Sequence, residues 1–230
     1  MGNSHKKVLT PSGAAPLALF DLDYTLLEGD SEAMWSRFLF EKGAVDKTFL
    51  MRMTDYYHAY ENGHLDIHEY LAFFLRPLTI HPLSRLYEWR TEYLGRIRQA
   101  LRPALMRRVR RFRALGFNLM LVTAANDFLA EPIARLLRFP NVICTRIRRR
   151  SNQFTTEVEG IPAFREGKVQ RLEAWLDEHG ETLEESWGYG DSHNDLPLLT
   201  RVEHPVAVFP DPILRAYAHA NGWKIIEQAN

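Results

Sequence analysis

The sequence predicts an α/β protein with a doubly wound parallel sheet and an all-helical segment inserted after the first strand. Short, fully apolar runs such as Leu17–Phe20 are typical of strands that are buried on both faces. These runs alternate with segments of helical periodicity, and that alternation predicts parallel pairing. Residues 30–104 break the alternation, because they show helical spacing and no convincing strand. We therefore interpret them as a helical insertion.

Composition and charge limit the function classes. The 230 residues include 29 lysines and arginines and 29 aspartates and glutamates, so the formal net charge is zero. A nucleic-acid partner is not expected, because proteins that coat polyanions usually carry a strong basic excess. The single cysteine, Cys144, excludes an intramolecular disulfide. Residues 1–16 show no signal-peptide pattern, and the sequence has no run of ~18 apolar residues. We therefore expect a cytoplasmic protein without a membrane partner. A monomer or a homodimer is the expected oligomeric state.

The first strand, Leu17–Phe20, runs directly into the acidic sequence that starts at Asp21. Asp30 or Ser31 can cap the first helix of the insertion. Glycine and proline punctuate the helices that follow, at Glu61-Asn62-Gly63, Pro77 and Pro82. The predicted domains are a core of residues 1–29 and 105–230 and a helical cap of residues 30–104.

The second half of the chain returns to alternating strands and helices. A helix closed by Gly116 precedes a buried strand at Phe117–Val122, which ends at Thr123. Ser151-Asn152 predicts the turn of a short hairpin. The remaining predicted elements are helices at Phe128–Phe139, Glu166–Glu178 and Pro212–Ala220, and strands at Val142-Ile143, Ser186–Gly190, Pro205–Phe209 and Trp223–Ile226.

Three predicted strands end in polar residues, at Asp21, Thr123 and Asp191. In open parallel sheets, ligands bind at the carboxyl ends of the strands. Asp21 and Asp23 would repel each other there unless a cation lies between them. A turn that merely uses aspartate is the alternative interpretation.

The run Gly190-Asp191-Ser192-His193-Asn194-Asp195 adds two carboxylates at another strand end. Aspartate caps at a helix N-terminus explain one of them, but explain the whole run poorly. A hard cation such as Mg²⁺ prefers oxygen ligands, usually one or two carboxylates with water and substrate phosphate. Asp21 and Asp191 can supply those carboxylates.

A phosphate ligand would also need positive partners. Lys168 is the best candidate, although a solvated lysine on the first turn of a helix is the alternative. Thr123 offers a hydroxyl. Ala124 and Ala125 offer backbone N–H groups at the predicted start of the next helix, where anions bind readily.

Four motifs occur in one order along the chain: Asp-Leu-Asp-Tyr-Thr at 21–25, Thr123 after an apolar strand, Lys168, and Gly-Asp-Ser-His-Asn-Asp at 190–195. In these motifs the sequence resembles the haloacid dehalogenase (HAD) superfamily, and within it the phosphoserine-phosphatase-like branch with a helical cap after the first strand. The resemblance implies a Rossmann-like HAD core and a Mg²⁺-dependent phosphatase.

The resemblance also implies roles for the catalytic residues. Asp21 would be the nucleophile that takes the phosphoryl group as an aspartyl-phosphate. Asp23 would protonate the leaving alcohol and then activate water. Thr123 and Lys168 would hold the transferring phosphoryl group.

The metal and phosphate ligands follow from the same resemblance. Asp191 would bind Mg²⁺ together with Asp21 and the backbone carbonyl of Asp23, and Asp195 would support the metal ligands. Asn194 would lie near the phosphate.

The substrate is expected to be a small phosphorylated metabolite. Asp30 occupies the position at which phosphoserine-phosphatase-like relatives contact a substrate amino group, and a helix cap is the equally favoured alternative. Phosphoserine and histidinol phosphate both carry an amino group and are not ranked. A substrate carboxylate could be bound by one of three arginines, Arg37, Arg52 or Arg76. Four aromatic residues could line the pocket or form the core of the cap: Trp35, Tyr56, Tyr57 and Trp89.

Two other functions stay open at this point. A phosphotransferase would pass the phosphoryl group to an alcohol instead of water. A signalling receiver domain also has a phosphorylatable aspartate with threonine and lysine on later strands, but it is about half this length and lacks the inserted cap.

Overall fold

The computed structural model describes residues 8–10 and 13–227 of the chain. The predicted core range includes residues 1–7, 11–12 and 228–230, which lie outside the described residues. Eight strands are present in the described part: β1 Leu17–Phe20, β2 Asn118–Asn126, β3 Asn141–Thr145, β4 Ile147–Arg150, β5 Gln153–Val158, β6 Trp187–Gly190, β7 His204–Val208 and β8 Lys224–Ile226.

Six of the strands form one parallel sheet in the order β3-β2-β1-β6-β7-β8. Strand β1 lies in the middle, and all four of its residues are buried, as its continuous apolar run predicts. Ala18 of β1 pairs with Leu119 of β2 and with Trp187 of β6. The strand order reverses direction between β1 and β6, which is where doubly wound sheets form a crevice for ligands.

Helices cover the sheet and make up the insertion. Those of the insertion are α1 Ser31–Glu41, α2 Lys47–Glu61, α3 Ile67–Phe74, α4 Arg76–Ile80 and α5 Leu83–Gln99. Those that follow are α6 Pro103–Ala114, α7 Asp127–Leu137, α8 Glu166–His179, α9 Leu196–Leu199 and α10 Pro212–Ala220. The prediction of helices without strands between Asp30 and Ala100 is confirmed.

An aromatic cluster packs the helices of the insertion against one another and against helix α7 of the core. Trp35 of α1 lies 5.4 Å from Phe38 and 5.2 Å from Tyr93 of α5, between ring centroids. Its ring also lies 5.6 Å from that of Phe128 on α7. Trp35 and Trp89 are buried, so both belong to the core of the insertion.

The chain enters and leaves the insertion through a short antiparallel contact. Leu27 pairs with Leu101, and the backbone N–H of Arg102 donates to the carbonyl of Leu26 at 2.8 Å. The two crossings are therefore held side by side, close to the predicted limits of the cap at residues 30 and 104. The division into these two domains stays a prediction.

The hairpin of β4 and β5 is confirmed. Ser151 and Asn152 have φ values of 47° and 61°, the paired left-handed conformation that two-residue hairpin turns favour. The hairpin packs against α3 and α4 of the insertion. Across the described ranges, none of the helices has both the length and the apolar character that a membrane span requires.

Candidate active site

The end of β1 delivers Asp21 to the crevice. Asp21 is 5% exposed, and a tight turn over Leu22–Leu26 follows it. Tyr24 in this turn has a φ of 55°, which reverses the chain within a few residues. The turn places the hydroxyl of Thr25 so that it donates to Asp191 Oδ1 at 3.3 Å. The first and last motifs are thereby joined.

The end of β6 is shaped by close packing between Gly190 and Asp195. A Cβ at position 190 would lie 2.7 Å from Asp195 Oδ2, so only glycine fits there. Asp195 Oδ2 accepts the backbone N–H groups of Asp191, at 3.2 Å, and Ser192, at 3.4 Å. Asp195 therefore fixes the loop that carries Asp191.

Lys168 lies between the two acidic strand ends. Its Nζ is 2.7 Å from Asp21 Oδ1 and 2.6 Å from Asp195 Oδ1, and its side chain is 4% exposed. Gly167 allows this placement, because a Cβ there would lie 2.0 Å from the carbonyl oxygen of Pro162. The alternative interpretation of Lys168 as a solvated lysine is therefore wrong.

The negative charge at these strand ends exceeds the positive charge, which favours a bound cation. Carboxylate oxygens of Asp21, Asp191 and Asp195 lie within 4.8 Å of one another. Burial raises the pKa of Asp191 well above its ordinary value, and repulsion from Asp195 and Asp21 adds to the rise. Burial alone would lower the pKa of Lys168, but Asp195 and Asp21 outweigh it and raise that pKa. One lysine faces three carboxylates, and this oxygen donor set fits a hard divalent cation such as Mg²⁺.

Asp23 is placed differently from Asp21. It is half-buried, and its Oδ1 accepts the backbone N–H of Ser31 at 2.6 Å. Burial, followed by repulsion from Asp30 and Asp21, raises the pKa of Asp23 well above its ordinary value. The side chain can therefore hold a proton beside the Asp21 carboxylate at a higher pH than an ordinary aspartate.

A cavity opens from these groups towards the insertion. Its lining is dominated by tyrosines and acids, namely Asp21, Asp23, Asp30, Glu32, Tyr24, Tyr56, Tyr57, Tyr60 and Tyr70, with Lys168, Ala124, Ala125, Ala33, Met53, Leu65, Ile67 and Phe164. Lys168 is the only lysine or arginine among the described residues that line it.

The model of the haloacid dehalogenase-like hydrolase family matches residues 18–200, which include all four motifs. The chain belongs to this family.

Individual relatives of this HAD protein agree. A histidinol-phosphatase from Neisseria meningitidis serogroup C (strain 8013) is 36% identical over 216 residues, which cover 91% of this chain and 97% of the relative. A solved structure of a protein with unknown function from Bordetella pertussis Tohama I is 40% identical, with a TM-score of 0.86, and covers 93% of this chain and 98% of that one. A substrate-bound phosphoserine phosphatase has a TM-score of 0.70 at 18% identity and covers 94% of each chain, which shows the shared fold. The protein is a HAD phosphatase.

Thr123 and the two alanines after it are arranged differently from the sequence prediction. Helix α7 of the HAD core begins at Asp127, so Ala124 and Ala125 do not lie at a helix start, and that prediction is wrong. Strand β2 continues to Asn126, because Thr145 Oγ1 satisfies the carbonyl of Ala124 at 2.8 Å. The N–H of Ala125 donates to Thr123 Oγ1 at 3.1 Å, which leaves the Thr123 hydroxyl proton free to donate.

Asn194 is bound by Arg165, a contact that the sequence does not predict. Arg165 Nε donates to Asn194 Oδ1 at 2.7 Å, and Arg165 Nη2 donates to the carbonyl of Gly63 at 3.0 Å. The Asn194 amide nitrogen is buried and has no hydrogen-bond partner among the described residues. Arg165 lies three residues before Lys168, but its partners are 29 and 102 residues away, so no local pattern announces them.

Asp30 caps α1, as one of its two interpretations predicts, and it also lines the cavity, while its contact with a substrate amino group stays a prediction. Its Oδ1 accepts the N–H of Ala33 at 2.7 Å and so caps α1, and the same side chain lines the cavity. Tyr56 and Tyr57 also line the cavity. The arginines considered for a substrate carboxylate, Arg37, Arg52 and Arg76, are exposed and outside the lining.

Proposed function

We propose that this HAD phosphatase is a Mg²⁺-dependent phosphomonoesterase whose substrate is a small metabolite with an amino group and no carboxylate, such as histidinol phosphate. The observation that carries the proposal is the cavity lining. Acids and tyrosines face the space beyond the phosphate, and in the described part of the chain no arginine or lysine stands at that end.

The first chemical step uses Asp21 and Asp23. Asp21 attacks phosphorus, and the bond between phosphorus and the ester oxygen breaks. Asp23 donates its proton to the leaving alkoxide, so the alcohol departs neutral. The raised pKa of Asp23 supports this role, because a general acid must hold its proton when the substrate arrives.

The second step reverses the role of Asp23. The Asp23 carboxylate accepts a proton from water, and the water oxygen attacks the phosphorus of the aspartyl-phosphate. The bond between Asp21 and phosphorus breaks, which frees inorganic phosphate and restores the Asp21 carboxylate. Splitting hydrolysis into two displacements lowers each barrier.

Positioning of the phosphoryl group falls to three donors. Lys168, Thr123 and Asn194 each have N–H or O–H groups at this edge of the sheet. Asp21, Asp191 and the backbone carbonyl of Asp23 would hold Mg²⁺, and Asp195 would support them through its bonds to the loop. When bound, the metal supplies positive charge that offsets the charge of the phosphate oxygens.

The cap end of the cavity favours a cationic substrate. Asp30 would bind the amino group. The carboxylate of phosphoserine would instead lie near Asp30 and Glu32, and like charges at close range repel. The relative at 36% identity that is named histidinol-phosphatase supports an amino alcohol phosphate over phosphoserine.

The insertion would act as a cap over the reacting groups. Two contacts join it to the core beside the site: the Tyr60 hydroxyl lies 3.1 Å from Ser192 Oγ, and Arg165 reaches Gly63. Closure through these contacts would exclude bulk water during transfer to Asp21.

The experiment is turnover of histidinol phosphate by the purified protein. We expect phosphate release with Mg²⁺, loss of release with excess chelator, and recovery when Mg²⁺ is restored. Rapid acid quenching should trap an acid-stable, base-labile phosphoenzyme. Phosphorylation without turnover would instead indicate a receiver-type protein, and transfer to an added alcohol as the main product would indicate a phosphotransferase. Either result would overturn the proposal.

A further inference from the structure

Glu32 is a second carboxylate in the cavity that the catalytic steps do not use. It lies on the first turn of α1 and is 6% exposed. Its Oε1 accepts the backbone N–H of Asn126 at 3.0 Å and the side-chain amide of Asn126 at 2.6 Å. Its Oε2 accepts the hydroxyl of Tyr70 at 2.5 Å. The carboxylate is therefore held from the core by β2 and from the insertion by α3.

These partners orient Glu32 without neutralising it. All three hydrogen bonds come from neutral donors, and none of the described ion pairs involves Glu32. The acidic neighbour Asp30 raises the pKa of Glu32 further, after burial itself. A buried carboxylate that lacks a cation holds its proton more strongly, and a ligand that carries positive charge would stabilise the ionised form.

One acceptor position of the Glu32 carboxylate remains unused among the described residues. A carboxylate has about four lone-pair sites, and three donors occupy Glu32. Glu32 lines the cavity, so a ligand there can reach it. A nitrogen cation with an N–H group can donate to this position, whereas a carboxylate or a hydrocarbon cannot.

The tyrosines beside Glu32 offer aromatic faces. Tyr56 and Tyr70 meet edge to face, with 5.5 Å between ring centroids and 75° between ring planes, and both line the cavity with Glu32. The Arg52 guanidinium covers one face of Tyr56, 4.7 Å from the ring centroid. Tyrosine faces attract cations, and planar cations also stack on them. Asp30, two residues nearer the nucleophile along the chain, is left for a separate amino group.

We infer that Glu32 is a specificity-determining residue that binds a second basic nitrogen of the substrate, so that the preferred substrate carries a primary amine and a planar nitrogen base. The inference rests on the proposed function, since it takes this cavity as the substrate pocket. Under it, Asp30 binds the amine and Glu32 binds the ring.

The first test uses the wild-type protein with Mg²⁺ and a matched ligand pair. Histidinol and phenylalaninol share the amino alcohol and differ in the aromatic ring, which is an imidazole with two nitrogens in one and a benzene in the other. As competitive inhibitors of histidinol phosphate turnover, histidinol should bind about 10- to 100-fold more tightly, the range expected for a charge-assisted hydrogen bond. Equal inhibition constants would overturn the inference. No turnover of histidinol phosphate would instead overturn the proposed function.

The second test is the isosteric variant Glu32→Gln. We expect the ratio of kcat/KM for histidinol phosphate to that for O-phosphoethanolamine, which has only the amine, to fall roughly tenfold or more. Tyr70→Phe is the matched control, because it removes a donor to Glu32 and keeps the carboxylate, so the ratio should change much less. A Glu32→Gln variant that loses both substrates in equal proportion would show that Glu32 only joins cap and core.

Discussion

The two ends of the cavity use carboxylates in opposite ways. At the phosphate end, Lys168 lies 2.6 to 2.7 Å from two buried acids, and the oxygen cluster of Asp21, Asp191 and Asp195 fits a divalent cation. At the cap end, Asp30 and Glu32 receive only hydrogen bonds from neutral groups. Under the proposed function, the phosphate end would receive an anion with a metal, and the cap end would receive a cation.

This difference shows that counting charges over the whole chain says little about a site. The net charge of zero averages over two acidic regions that need different partners. What separates them is the presence of one buried lysine, and that lysine reaches the phosphate end because Gly167 allows α8 to begin against Pro162. Four substitutions probe the two ends in turn.

The largest effect is expected from Asp21→Asn at the phosphate end. Loss of the nucleophile should lower kcat by about 10⁴-fold or more, since the remaining groups can only assist direct attack by water. Steady-state phosphate release with histidinol phosphate measures this. Asp177→Asn, an exposed site on α8, is the control and should keep wild-type turnover. An Asp21→Asn enzyme within tenfold, about 1.4 kcal/mol, of wild type would remove Asp21 from the mechanism.

Lys168→Met should have the next largest effect. The variant keeps the length of the side chain and removes the positive charge between Asp21 and Asp195. We expect kcat/KM to fall about 10²- to 10³-fold, because one preorganised donor to the phosphoryl group is lost. Lys224→Met is the matched control, because Lys224 is an exposed residue of strand β8. Equal effects of the two lysine substitutions would contradict the account of the phosphate end.

The charge at the cap end should appear in the pH dependence of stability. Burial raises the pKa of Glu32 to about 7 from an ordinary value of 4.5. Between these values the folded protein binds a proton that the unfolded chain has released, so stability falls as pH rises through this window and levels off above it.

Chemical denaturation at several pH values compares wild type with Glu32→Gln. From pH 5 to 7, the free energy of unfolding of the wild type should fall relative to the variant by up to about 1.4 kcal/mol per pH unit. A difference that stays constant with pH would mean that Glu32 has an ordinary pKa.

The smallest activity effect is expected from Asp30→Asn. Removing this charge should raise KM roughly tenfold for amine-bearing substrates, with a smaller change in kcat. Asp46→Asn is the matched control, because Asp46 caps α2 by accepting the N–H of Phe49 at 2.9 Å and is exposed outside the cavity. If both variants behave alike, Asp30 serves only as a helix cap.

The sequence predicted the phosphate end better than the cap end, for a physical reason. Asp21 and Asp191 directly follow strands whose apolar runs are visible locally, and parallel strands bring their carboxyl ends to one edge. Glu32 instead meets Asn126, 94 residues away, and Tyr70, 38 residues away, in a packing between insertion and core that no local period encodes. The end of β2 was misplaced for the same reason, because Thr145 and Glu32 supply distant partners to its last residues.

The most direct test of the difference between the two ends is one ratio measured on the wild-type protein with Mg²⁺. It compares kcat/KM for histidinol phosphate with kcat/KM for O-phosphoserine. The two substrates would place the same phosphate group at the phosphate end of the cavity and different groups at the cap end. The arrangement of Asp30 and Glu32 predicts a preference of about 100-fold or more for histidinol phosphate, because a carboxylate placed there would lie unpaired among acids. Equal values, or a preference for O-phosphoserine, would contradict it.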